Sequence, residues 1–255
     1  MMDDRGLAAM HDTPAQSVPD PSSDAADPIV ITIDGPAGTG KSTVAHGLAR
    51  RLHLEYLDTG AMYRAATLAV LEAAVDPHDD TAVAEVVGAA RIDFDWTVDP
   101  PRVLVRGRDV SDHIRSESVT RHVSTIAAHP GVRRRLVEAQ RRIAAAHPRL
   151  VSEGRDQGSV VFPDAPLRFF LEADARVRAR RRVEQLRAAG IDADPDMVEA
   201  ELRRRDDLDA GRAVDPLVRP DGAVTVDTTD LTVDDVIDRL EQEVRERLPS
   251  RAFTT

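Results

Sequence analysis

Gly35-Pro36-Ala37-Gly38-Thr39-Gly40-Lys41-Ser42 decides the fold. These residues satisfy the spacing G-x-x-x-x-G-K-[ST], and their flanks supply the context that spacing needs. Upstream, Ile29-Val30-Ile31-Thr32-Ile33 is a β-branched run bounded by Pro28 and by Asp34-Gly35-Pro36, the pattern of a buried parallel strand. Downstream, Val44, Ala45, Leu48 and Leu52 recur at helical spacing from Lys41 onward. Glycines let backbone N–H groups turn inward around phosphate oxygens, and a helix N-terminus adds its positive end. Gly35 to Ser42, with Thr43 behind them, therefore read as an ATP-phosphate loop. Lys41 is expected to reach the β- and γ-phosphates and the Ser42 hydroxyl to ligate Mg²⁺.

The rest of the composition sharpens this reading. Lysine occurs once, at Lys41, among 34 Lys and Arg residues, and asparagine is absent. Position 41 thus keeps a compact ammonium in a chain that otherwise uses guanidinium. A GTPase reads guanine through an Asn/Thr-Lys-x-Asp segment, and a protein kinase needs a catalytic-loop Asn and a separate strand Lys. Neither set can be drawn from this sequence. The net charge of −11 argues against a general nucleic-acid binder, and a nucleic-acid motor would be larger and less acidic. Cysteine is absent, which excludes disulfides and thiolate metal sites and fits a reducing cytoplasm. No run of 18 apolar residues and no secretory pattern is present, so a cytoplasmic protein without membrane contact is expected.

Outward from the loop, strand and helix patterns alternate. Residues 1–27 carry six Asp and one Arg among Pro and Ser, and read as a disordered acidic tail before a folded domain over 28–250. Further core strands are expected at 54–57, 150–152, 167–171 and 223–226. Helices are expected at 61–74, 81–90, 116–128, 131–146, 175–189, 195–210 and 232–248, with Thr232 and Asp235 at capping-box spacing. A small antiparallel patch, 92–96 and 103–105, interrupts the helices. Strands alternating with helices imply an α/β fold, a parallel sheet covered on both faces.

Three further segments carry chemistry. Asp58-Thr59-Gly60-Ala61-Met62-Tyr63-Arg64 and Glu153-Gly154-Arg155-Asp156 each follow a core strand, at the sheet edge where α/β ligands sit. Arg64 is expected on the first turn of its helix, facing the crevice. Glu153 ends an apolar strand, where a carboxylate helps hold Mg²⁺ through water. Arg205, Asp209 and Arg212 are spaced four and three apart and share one helix face. Spacing alone leaves these three open between a solvated salt-bridge row and an anion site. The run Arg176, Arg178, Arg180, Arg181, Arg182 is likewise open between a solvated helix and a mobile cationic lid.

Taken together, Ile31–Pro36, Leu57–Arg64, Glu153–Asp156, Val161-Phe162-Pro163-Asp164-Ala165-Pro166 and Arg205-Asp206-Asp207 through Arg212-Ala213 resemble bacterial cytidylate kinase. The resemblance runs from Ile31 to Thr228 and includes the inserted patch near 91–112. It implies a three-layer P-loop kinase with a five-stranded sheet in the order 2-3-1-4-5. Its core would be 28–60, 149–174 and 198–250, its nucleotide-binding insert 61–148 and its lid 175–197. It implies ATP and CMP or dCMP as substrates, and Mg²⁺ as cofactor. On this resemblance Arg64, Arg155 and Arg212 surround the CMP phosphate, and Thr59 and Tyr63 also belong to the CMP-binding set. Ser124, Arg133 and Asp156 read cytosine, and Arg205 and Asp209 contact the sugar region. Lys41, Arg155 and Arg212 would be catalytic. Gln157 departs from the pattern, standing where many members have an apolar residue. A monomer is expected.

Overall fold

The computed structural model describes residues 28–188 and 190–249. The expected acidic tail lies outside the described residues. The chain runs β1 (Ile29–Asp34), α1 (Lys41–Arg51), β2 (Glu55–Asp58), α2 (Thr59–Glu72), α3 (Asp80–Ala89), β3 (Ile92–Asp95), β4 (Arg102–Val105) and β5 (Arg108–Asp109). It continues through α4 (Glu117–Ala128), α5 (Pro130–Ala146), β6 (Arg149–Gly154), a π-helical turn (Gln157–Val161), β7 (Leu167–Glu172), α6 (Ala175–Ala188), α7 (Pro195–Ala210), β8 (Val224–Asp227) and α8 (Val233–Arg247).

The main sheet has the order β2-β6-β1-β7-β8, and every pairing is parallel. Counting only these five strands along the chain, the order is 2-3-1-4-5, as expected. Parallel pairing requires crossovers, and the helices that supply them cover both faces. Ile31, Ile33, Val151, Phe169 and Leu171 pack with α1 and α8 on one side. Leu57 and Leu150 pack with α2, α3 and α5 on the other. The small antiparallel sheet β3-β4-β5 sits in the α3–α4 interval.

Strand register positions the site. β1 pairs with β6 so that Asp34 lies opposite Gly154, and β2 pairs with β6 so that Asp58 lies opposite Glu153. Asp34, Asp58 and Glu153 therefore reach the same carboxyl-terminal edge as the loop 35–40.

Three local features differ from the pattern reading. α2 starts at Thr59, because Asp58 both ends β2 and caps the helix, accepting the Ala61 N–H at 2.8 Å. Arg64 consequently falls on the second turn. β5 is two residues long, too short to leave a periodic signal. The π-turn is held from outside: the Asp34 carboxylate accepts the N–H groups of Gln157 and Gly158, each at 2.8 Å. The Thr232–Asp235 capping box does form at the start of α8.

Candidate active site

The phosphate loop has the backbone its glycines imply. Gly35, Gly38 and Gly40 adopt φ of 147°, 81° and 90°. Gly40 caps α1 without a side-chain hydrogen bond, so no capping side chain competes for the first-turn N–H groups. Gly35 is the most constrained: a Cβ there would lie 2.2 Å from the Leu171 carbonyl oxygen. Gly35→Ala is expected to cost about 3 kcal/mol through strain and clash. That lowers Tm by about 6 to 12 °C for a domain of this size. Calorimetry checks it, and a change under about 2 °C contradicts it.

Lys41 is buried, and its Nζ donates to the Pro36 carbonyl at 2.6 Å. Burial, reinforced by Arg155, lowers its pKa to about 7, against the pull of Glu153 and Asp34. Ser42 donates to Glu153 Oε1 at 2.7 Å, and burial with the neighbouring Asp58 raises Glu153 to about 7. Burial likewise raises Asp34 to about 7, although two backbone N–H bonds favour its charged form.

Beside the loop opens a cleft of about 500 Å³. Its walls bring together Thr59, Tyr63, Arg64, Ser124, Arg133, Arg155, Asp156, Arg205, Asp209 and Arg212, every residue the resemblance assigned to the acceptor nucleotide. One end is cationic. Arg155 donates from Nε to Asp209 at 2.9 Å, and Arg212 pairs with the other Asp209 oxygen. Burial works to raise the Asp209 carboxyl, but Arg155, Arg212 and Arg205 hold it below the ordinary aspartate value. Arg64 reaches Thr120 Oγ1 at 2.9 Å and the Ile114 carbonyl at 3.3 Å. Arg205 keeps a buried Nε without a partner. Burial and neighbouring arginines lower both Arg64 and Arg205 to about 10. Crowded cations with a surplus of donors form a site for an anion.

The other end is a buried ion pair. Arg133 pairs with Asp156, and the two side chains are 1% and 2% exposed. Arg133 lies over the Tyr63 ring, 5.6 Å from its centroid. The Tyr63 hydroxyl is buried without a partner. Thr59 turns its hydroxyl to the Glu153 carbonyl at 2.7 Å, tying α2 to β6.

The family model for cytidylate kinase matches residues 31–246. The chain belongs to the cytidylate kinase family. It is 52% identical over 219 residues to the cytidylate kinase of Mycobacterium avium, covering 86% of this chain and 96% of the relative. It is 50% identical over 214 residues to that of Corynebacterium glutamicum, covering 83% and 92%. For the cytidylate kinase of Caldanaerobacter subterraneus the figures are 45% over 217 residues, 85% and 95%.

In this member of the cytidylate kinase family several residues join the site that the sequence reading missed or left in doubt. Gln157 is buried in a polar relay: Ser152 Oγ donates to it at 2.7 Å, and its amide donates to Gln140 at 3.0 Å and to Asp156 Oδ1 at 3.3 Å. Its packing beside Asp156 is therefore a hydrogen-bonded support. Asp34 anchors the π-turn that carries Gln157. An acid ending a buried β-branched strand was the available signal. The arginine run of α6 divides. Arg178 donates to the Ala37 carbonyl at 2.9 Å and to Asp206 at 2.6 Å, while Asp206 accepts the Ala37 N–H at 3.4 Å. Arg181 holds the Thr228 carbonyl at 2.6 Å. These two arginines tether α6 to the phosphate loop and to the end of β8. Asp215 accepts from Arg133 Nε at 2.8 Å, and as a single loop acid it left no sequence signal.

Proposed function

We propose that the chain transfers the γ-phosphoryl group of ATP to CMP or dCMP, giving ADP and CDP or dCDP, with the acceptor in the arginine-lined cleft. The observation that supports this most is the cleft's two-part chemistry, an arginine cluster whose Arg155 acts on Lys41 of the phosphate loop and a buried Arg133–Asp156 pair in the same walls. Such a cavity suits a small molecule with a phosphate at one end and a polar ring at the other. Among the described residues no helix is long and apolar enough to cross a membrane.

In this reading the CMP phosphate oxygen attacks the γ-phosphorus in line. A monophosphate oxygen is already anionic near neutral pH, so no general base is required. Lys41, Arg155 and Arg212 position the phosphoryl groups and stabilise the charge that shifts between them. The Ser42 hydroxyl and the Glu153 carboxylate, 2.7 Å apart, are hard oxygen donors that would hold Mg²⁺. Bound there, the ion would supply neutralisation of phosphate charge. ³¹P NMR of the protein with ATP, Mg²⁺ and CMP tests the reading. It predicts the CMP resonance lost in step with ATP and no inorganic phosphate; inorganic phosphate released with CMP unconsumed would instead mark a slow nucleotide hydrolase.

The low Lys41 pKa carries a pH-dependent expectation. At pH 8 a free-site value of about 7 leaves this lysine mostly neutral. Nucleotide phosphates favour the ammonium and shift the value back toward the ordinary 10.5. ADP binding without Mg²⁺ should therefore take up close to one proton at pH 8, and less below pH 7. Calorimetry in buffers of differing ionisation enthalpy measures this, and Lys41→Met should abolish it. Equal uptake in the variant contradicts the assignment.

We also infer that 175–197 works as a lid, with its motion confined to the end distant from the loop. Arg178 and Arg181 anchor the start of α6, whereas Ile191 and Met197 are 54% and 69% exposed. Hydrogen exchange over 186–198 is expected to slow when ATP and CMP analogues bind together. Unchanged protection would identify these helices as a fixed surface.

A further inference from the structure

Arg133 has all three of its guanidinium nitrogens engaged by protein. Nη2 pairs with Asp156, Nε donates to Asp215 Oδ2 at 2.8 Å, and Nη1 reaches the Ala127 carbonyl at 3.4 Å. Without Asp215, Asp156 and the long Ala127 contact would hold only the two Nη nitrogens and leave Nε unanchored. Asp215, holding Nε, supplies that anchor. Its own position is enforced. Asp215 sits at φ 48°, in the left-handed region that few residues other than Gly, Asn and Asp adopt readily. The Leu217 N–H donates to the Asp209 carbonyl at 2.8 Å and closes this loop back onto α7. Three residues before Asp215, Arg212 enters the cationic cluster by pairing with Asp209. One short loop therefore supplies an arginine to the phosphate end of the cleft and a carboxylate to the base end.

We propose that Asp215 is a positioning and specificity-determining residue: it orients Arg133 toward the base and couples that contact to Arg212 at the phosphate end. The proposal rests on the reading of the cleft as a CMP site. Arg133, so held, aims donors in one fixed direction. A ring acceptor such as cytosine N3 or O2 benefits from a fixed donor, whereas uracil N3–H opposes it. A carboxylate that only neutralised a buried arginine would support CMP and UMP alike.

The test is steady-state kinetics with CMP and UMP on the wild type, Asp215→Asn and Asp215→Gly. Both substitutions tolerate the left-handed backbone. Asn keeps a neutral acceptor, and Gly removes the side chain. Melting temperature is followed in parallel. The expected result is a CMP KM raised about tenfold in Asp215→Gly and less in Asp215→Asn, the size of one charge-assisted hydrogen bond. The KM for ATP should stay within about twofold, and the CMP:UMP ratio of kcat/KM should fall severalfold in the same order. Loss of melting temperature with an unchanged CMP:UMP ratio in both variants overturns the proposal. So does a parallel rise in the KM of both nucleotides. A wild-type enzyme without preference for CMP overturns the base reading itself, and the proposal with it.

Discussion

Lys41→Met is expected to fold normally and to lose roughly 10³-fold in kcat, the scale on which removal of one preorganised charge stabiliser acts. The fold should survive because the ammonium's protein contacts are few: one hydrogen bond to the Pro36 carbonyl and a long one to Thr39 at 3.4 Å. Burial already disfavours its charged form. Deleting it removes little that holds the fold together. The loss falls on turnover because charge moves between the β- and γ-phosphate oxygens only as the reaction proceeds. Lys41→Arg should also be poor. The buried ammonium sits against the Pro36 carbonyl and the Thr39 hydroxyl, and a planar guanidinium does not reproduce that compact point charge. Single-turnover kinetics with a melting curve separate chemistry from folding. An arginine variant within about threefold of wild type, under ~0.7 kcal/mol, contradicts this account of the chain's one lysine.

The second large effect is expected at Asp156. Cytosine presents an amino donor at position 4 and an acceptor at N3, and uracil presents the reverse. Burial pushes the Asp156 carboxyl up, but its pairing with Arg133 favours the carboxylate, an acceptor only. That oxygen can take a hydrogen bond from the cytosine amino group and repels the uracil carbonyl. Arg133 supplies donors that suit N3 and O2 of cytosine and oppose uracil N3–H. Two mismatches at about 1–3 kcal/mol each give discrimination of about 10²-fold or more. Asp156→Ala should reduce kcat/KM for CMP far more than for UMP and bring the ratio to within about tenfold of unity. Breaking a buried pair also costs about 3–5 kcal/mol of stability, so Asp156→Asn is the companion variant. Its amide keeps the volume and can donate to the uracil carbonyl, so its ratio should shift toward UMP further than that of Ala.

Legibility in the sequence followed the range of the interaction. The phosphate loop was readable because eight consecutive residues encode its backbone, its charge and its helix start together. The five core strands were readable because apolar and β-branched residues cluster in each of them between helical or turn segments. Residues brought together from distant segments were not readable from pattern alone. By spacing, Arg205, Asp209 and Arg212 fitted an exposed salt-bridge row as well as an anion site. Only the resemblance separated the two readings, and in the fold Asp209 is 2% exposed between two arginines. Gln157 departs from the family pattern with no visible reason in the sequence, because its partners, Ser152 and Gln140, come from β6 and α5. Arg178 and Arg181 lay within one basic run, yet their acceptors are the Ala37 carbonyl and the Thr228 carbonyl, more than 40 positions away. Asp215 contacts an arginine 82 positions distant and has no local signature.

The measurement that bears most directly on the central claim is the ratio of kcat/KM for CMP to that for UMP on the unmodified protein, at saturating ATP and Mg²⁺. A cleft whose base end is the Arg133–Asp156 pair predicts a ratio of about 10² or more, with dCMP on the side of CMP. A ratio near unity, with both nucleotides turned over well, would contradict it, because the buried pair could not then be reading the edge that distinguishes the two bases.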